Sequence, residues 1–172
     1  MPEADTSWHA VKGPKLDTAT CREKLYHLLA LFFASKQLAD LCDDQIGCPF
    51  REMLDEHEEQ RITQLLVETA VFIRMKDDLF EQQYGQKANT GSCIVGLLRS
   101  PDTATTAEPL NLREGANKII HAKLINFDVE REDEWHSRYL KPVVYLYGEQ
   151  RGRSWKAELD IIKWAEHACA IA

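Results

Sequence analysis

The feature that most constrains this chain is a change in apolar period at His121. Ahead of it, apolar residues recur every three to four positions. Leu25, Leu28, Leu29, Phe32 and Phe33 follow the i, i+3, i+4, i+7, i+8 rule of a core-facing helix, and Ile62, Leu65, Leu66, Thr69 and Ile73 make a second stripe. Behind it the period falls to two. Ile125, Phe127 and Val129 alternate with polar residues, Val143 to Tyr147 is β-branched and aromatic, and Trp155, Ala157 and Leu159 alternate with Lys156, Glu158 and Asp160. Helical and extended backbones put different residues on one face, so the two patterns need different elements. Helices are predicted over most of 20–83 and 111–122, and strands near 125–130, 142–149 and 153–159.

Local signals punctuate these runs. Thr20 and Glu23 have the spacing of a capping box, Pro49 is placed to open a helix, and Gly85 to stop one. The charge cluster Asp55 to Glu59 predicts a break in the second helical stretch. Asn111 offers an N-cap with Glu114 three residues on, Gln150-Arg151-Gly152-Arg153 reads as a turn, and Asp160 can cap a final helix. Residues 1–19 read as an N-terminal arm, although the Trp8 indole calls for a docking site. Residues 85–109 have no clear period: Ser92 to Leu98 is an apolar island and Ser100 to Thr106 has loop composition. The expectation is one mainly α, α+β domain over 20–172. It comprises a helical bundle at 20–122, then a small C-terminal antiparallel β-sheet of about three strands and a final helix at 123–172. Val67, Ala70, Val71 and Phe72 widen the second stripe around most of its helix. Such a helix is central in a bundle or lies in a dimer interface, and a homodimer is expected.

Charge narrows the function classes. A net charge of −7 with 28% charged residues weighs against a bulk coat for nucleic acid, although it leaves room for a local basic surface. The N-terminus lacks the pattern of a signal peptide, and the longest apolar run, Leu28 to Ala34, is far short of a bilayer span, so no membrane partner is expected. Five scattered cysteines with no CxxC pair point to reduced thiols in a cytoplasmic protein. No cofactor or metal is expected: His57 has acidic neighbours that face other sides of a helix, and His136 and His167 lack partners at ligand spacing. Asp43-Asp44 and Asp77-Asp78 read as solvated helix ends.

One helix carries groups suited to a phosphodiester. Arg113, Asn117 and His121 fall within roughly 80° of one another on it, beside the apolar stripe of Leu112, Ala116, Ile119 and Ile120. Asn117-Lys118-Ile119-Ile120-His121 resembles the Asn-x-x-x-His part of the signature helix of HEPN domains, a helical-bundle superfamily of nucleotide-binding proteins and ribonucleases. The family's arginine would stand at position 116, where this chain has Ala116; Arg113 lies one turn earlier. The resemblance implies metal-independent RNA cleavage at a dimer interface, with His121 moving the proton, Arg113 neutralising the phosphate and Asn117 orienting one of them. Because the arginine is out of register, the leading expectation is a non-catalytic binding or oligomerisation module for a protein, a nucleotide or RNA. The alternative is a toxin- or defence-like endoribonuclease using His121 and Arg113. Lys118 faces elsewhere on the wheel. Arg151, Arg153 and Lys156, near Trp155 and Tyr147, form a second candidate nucleic-acid surface, with turn charges and an inward Trp155 as the plainer reading.

Overall fold

The computed structural model describes residues 17–42, 48–85, 90–99, 107–131 and 138–172. Most of the N-terminal arm with Trp8, and also Asp43-Asp44, His136 and Ser100 to Thr106, lie outside the described residues. In order come α1 (Thr18–Asp40), α2 (Pro49–Tyr84), β1 (Ile94–Arg99), β2 (Glu108–Asn111), α3 (Leu112–Ile120), β3 (Leu124–Glu130), β4 (Tyr139–Gln150), β5 (Arg153–Asp160) and α4 (Ile161–Ile171).

The strands form one antiparallel sheet in the order β2-β1-β5-β4-β3. This corrects the expected architecture. The sheet has five strands rather than about three, it begins before α3 rather than after it, and no clear helical bundle precedes it. Two physical facts hid the first hairpin. β1 is a near-continuous apolar run with a register shift between Ile94 and Gly96, so it does not alternate cleanly. β2 is four residues long and contains Pro109, which an edge strand tolerates because no further strand pairs with it.

Alternation gives the sheet one covered face. Val144, Leu146, Ala157 and Leu159 are buried with Val95 and Leu110, and α1, α3 and α4 pack on that side. The other face carries Tyr145, Tyr147, Lys156 and Glu158. α2 packs chiefly against α1 and α3, and its Ile62, Leu65, Leu66, Ala70 and Ile73 are fully buried within one chain. The apolar width around residues 62–73 is therefore that of a central helix, with Val67 and Val71 left at the surface. The helix also runs unbroken through Asp55 to Glu59.

Two buried hydroxyls tie the layers together. Trp164 Nε1 donates to Thr69 Oγ1 at 3.3 Å, and that hydroxyl bonds the Leu65 carbonyl at 2.9 Å. The Leu140 amide donates to Ser35 Oγ, tying β4 to α1. Caps follow the local code in three of four helices and depart in one. Pro49 opens α2 and Gly85 closes it at φ 68°. Asn111 accepts from the Glu114 amide, and Asp160 from Ile162 and Lys163. α1 starts earlier than its predicted box: Asp17 is the N-cap, and Thr20 turns its hydroxyl onto the Asp17 carboxylate.

The connection that matters for function is α3. It leaves the β2 edge and the chain re-enters the sheet at β3, the opposite edge, so α3 must cross the covered face. Gly115 permits the close approach: a Cβ there would meet Val95 at 3.0 Å and the Trp164 ring at 3.5 Å. The crossing delivers the end of α3 to the end of β4, where the Lys123 amide bonds the Tyr147 carbonyl at 2.8 Å.

Candidate functional site

Between the last turn of α3 and the β4–β5 turn lies a cleft of about 510 Å³. Asn117, Lys118 and His121 wall it from α3, Arg74 from α2, and Gln150 and Arg151 from the hairpin, with Trp155 below. A second hollow of about 490 Å³ adjoins it, sharing Lys118, Gln150, Arg151 and Trp155 and adding Leu98, Arg153 and Ser154. Both sizes lie within the range of small-molecule sites.

The floor is built by one glycine. Gly148 stands opposite Trp155, and a Cβ there would fall inside the indole, so only glycine lets the ring lie flat against β4. Lys118 then lies over that ring, its ammonium 4.5 Å from the centroid. It is buried, pairs with Glu114 at 3.0 Å and reaches Gln150 Oε1 at 3.4 Å. A buried ammonium is tolerable here because ring, carboxylate and amide replace its water.

Glu114 organises the α3 wall. Burial opposes its ionisation, but bonds from Asn117 and Lys118 outweigh that and hold its carboxyl below the ordinary value. Asn117 Nδ2 donates to Glu114 at 3.0 Å. A carboxylate only accepts, which fixes the amide's orientation and leaves Asn117 Oδ1 as an acceptor. That oxygen is buried without a hydrogen-bond partner, as is Arg74 Nε on the same wall. On the hairpin side, a bond from Lys123 at 2.7 Å holds Glu149 below its ordinary value.

Arg151 takes φ 53° and Gly152 φ 75°, so both central turn residues are left-handed, as a two-residue hairpin of primed type requires. A non-glycine residue pays for that conformation, and the exposed Arg151 lines both hollows.

The residues singled out from sequence thus separate into four places. Asn117, His121 and Arg151 come together in the cleft, and Arg153 lies in the adjoining hollow. Lys156 sits on the open face of the sheet, 4.5 Å from the Tyr145 ring centroid and 5.5 Å from that of Tyr147. Arg113 turns from the cleft to α2, where it pairs with the fully buried Asp77 and, at 2.9 Å, with Asp78. Burial, then the charge of Arg74, pull the Arg113 pKa down, with Glu114 opposing. Asp77 is therefore a buried ion-pair partner rather than a solvated helix end.

The wheel set Lys118 aside as facing elsewhere, but the structure brings it into the cleft beside Asn117 and His121, and sequence reasoning missed Glu114 and Arg74 as site residues. Glu114 and Lys118 carry a signal, a Glu–Lys pair at i, i+4. Arg74 carries none, because only the packing of α2 on α3 brings it there. Among the described residues no His, Cys, Asp or Glu group is arranged to hold a metal, and no helix is long and apolar enough to cross a membrane. No protein family model, characterised protein or solved structure matches this chain.

Proposed function

We propose that this protein is a binding module for a phosphate-bearing ligand of the nucleotide or RNA class, seated in the cleft between α3 and the β4–β5 turn. The observation that carries this reading is charge. Arg74, Lys118, Arg151 and Arg153 line the cleft and its adjoining hollow against only Glu114 and Glu149, on a chain of net charge −7. Both carboxylates are already bonded by lysines. Cations gathered in a concave, partly desolvated place attract an anion more strongly than the same charges spread over a surface. The uncommitted acceptor on Asn117 and donor on Arg74 suit a ligand with hydroxyl or amine groups beside its phosphate.

A second reading, a ribonuclease related in mechanism to HEPN domains, is favoured by one observation: His121 is exposed at the cleft wall, where a phosphodiester would meet it. Its phosphate cation would then be Lys118, Arg74 or Arg151, because Arg113 is engaged by two aspartates. The expected homodimer is not needed to cover Ile62, Leu65, Leu66, Ala70 and Ile73, which are buried within one chain. The cysteines form no disulfide, which fits a reducing compartment such as the cytoplasm.

Titration calorimetry with the 5′-nucleoside monophosphates tests the first reading. Binding that weakens with salt and falls about tenfold or more in Arg151→Ala, the loss expected when one charge-assisted contact worth roughly 1.5–3 kcal/mol is removed, supports it. No binding at millimolar ligand overturns it. Total RNA incubated in EDTA with wild type and His121→Ala tests the second: cleavage lost in the variant supports an enzyme, and intact RNA in both rejects it.

A further inference from the structure

We infer that the ligand is a dinucleotide, two nucleotides joined through a phosphate, with the linking phosphate on Arg151 and Lys118 and one nucleoside in each hollow. This rests on the phosphate-binding reading above and names the ligand class for that site.

The cleft is divided in two. Its two parts, about 510 and 490 Å³, are nearly equal, and each alone is of small-ligand size. A mononucleotide fills one and leaves the other empty. The residues common to both are Lys118, Gln150, Arg151 and Trp155, so the shared boundary holds two cations, of which Lys118 is paired with Glu114 and Arg151 is exposed. That is the chemistry of a site for a phosphate with something attached on either side. Lys118 is held in place from three directions, by Glu114, Gln150 and the Trp155 ring. Arg151 is exposed and lines both hollows. A pre-placed cation such as Lys118 loses little entropy on binding.

The two ends differ in a way that gives the ligand a direction. The α3 end offers His121, the buried Asn117 oxygen and the buried Arg74 Nε, all polar. The hairpin end offers Leu98, Ser154 and Arg153, so one nucleoside meets hydrogen-bonding groups and the other an apolar side chain beside a cation. The length limit comes from charge. The two hollows have room for two nucleosides, and a net charge of −7 weighs against a longer polyanion.

The test compares 5′-nucleoside monophosphates, 5′-phosphorylated RNA dinucleotides and random RNA decamers on the full chain by calorimetry. Dinucleotides are expected to bind about tenfold or more tightly than mononucleotides, because the second nucleoside engages a tethered, adjacent site. Decamers are expected to show no further gain beyond the number of registers they offer. In Ser154→Glu, a substitution at an exposed position of the second hollow, the dinucleotide advantage should collapse toward one. Equal affinity for mononucleotide and dinucleotide, or an advantage untouched by Ser154→Glu, overturns the dinucleotide assignment and leaves the phosphate-binding reading standing. Affinity that keeps climbing to the decamer overturns it in favour of a long strand. No binding of any of the three removes both readings.

Discussion

Arg113 on α3 forms an ion pair with Asp77, a fully buried carboxylate on α2, and this contact joins the crossing helix to the central one. A second nitrogen of the same guanidinium holds Asp78 at 2.9 Å, and Arg74, one turn before Asp78 on α2, lies 3.9 Å from that carboxylate. The Arg113 group is thereby a structural anchor behind the cleft, and Arg74 is carried to the cleft wall by the same network.

Removing one partner leaves a charge without compensation. Arg113→Ala should destabilise the fold by about 3 kcal/mol, the lower end of the range for a broken buried pair because part of the arginine still meets water. For a domain of this size that is a fall of roughly 6–12 °C in Tm. The double replacement Asp77→Leu with Arg113→Met should recover much of it, since an apolar pair of similar volume needs no desolvation. Thermal unfolding of the three proteins checks this. A single variant that melts with wild type shows that Asp77 is not held by Arg113.

Arg151 sets stability against binding. Asn is at ease in the left-handed turn position that Arg151 occupies, so Arg151→Asn should raise stability by up to about 1 kcal/mol. The same change should weaken nucleotide binding by about tenfold. Unfolding and calorimetry on one preparation give both numbers. A variant neither more stable nor weaker in binding would show that the arginine is an ordinary turn residue.

Two glutamates should respond to acid with opposite signs. The Glu114 carboxyl is held below its ordinary value of 4.5, so its charged form contributes stability above that pH, and the contribution is lost as pH falls through the lowered value. Wild type should thus exceed Glu114→Gln most at neutral pH and least in acid. Burial, partly offset by a bond from Ser35, pushes Glu58 up instead. Its neutral form favours the fold in acid, and that favour is lost as pH rises through the raised value. Glu58→Gln should therefore gain on wild type at neutral pH. Urea midpoints across pH 3–7, a window around the ordinary carboxylate values, check both. Parallel curves for all three proteins would refute the assignment.

Thiol reactivity should follow burial. Cys21 is pushed up to about 11, first by burial and then by Cys169 beside it, and is thus inert at neutral pH. Cys169 is exposed at the other helix end. Timed alkylation with mass mapping should label Cys169 early and Cys21 only on unfolding. Equal early labelling would show that the α1–α4 contact opens freely.

What was legible in the sequence was local. Asn111, Asp160, Gly85 and Pro49 act on backbone groups within a few residues, so their spacing alone reveals them. β3 and β5 were legible because each alternates apolar with polar residues, and β4 because Val143 to Tyr147 is β-branched and aromatic. β1 and β2 were not: the first is apolar without alternation, and the second exists only because β1 offers it an edge. The same limit applies to the site. Asn117 and His121 share a helix face that a wheel shows, but whether Arg113 joins them depends on Asp77, 36 residues earlier by the numbering, and on how α2 lies. Long flexible side chains go to the strongest partner that the fold brings near, and no wheel contains that partner.

The cleft itself is tested most directly by nuclear magnetic resonance of the labelled protein during titration with a 5′-nucleoside monophosphate. The account predicts saturable shifts of the Asn117 side-chain amide, the Trp155 indole N–H and the Gln150–Arg151 backbone amides, with the Trp164 indole, buried against Thr69, left in place. Shifts confined to the Tyr145–Tyr147–Lys156 face of the sheet, or none at Trp155 and Asn117 under saturating ligand, would contradict it.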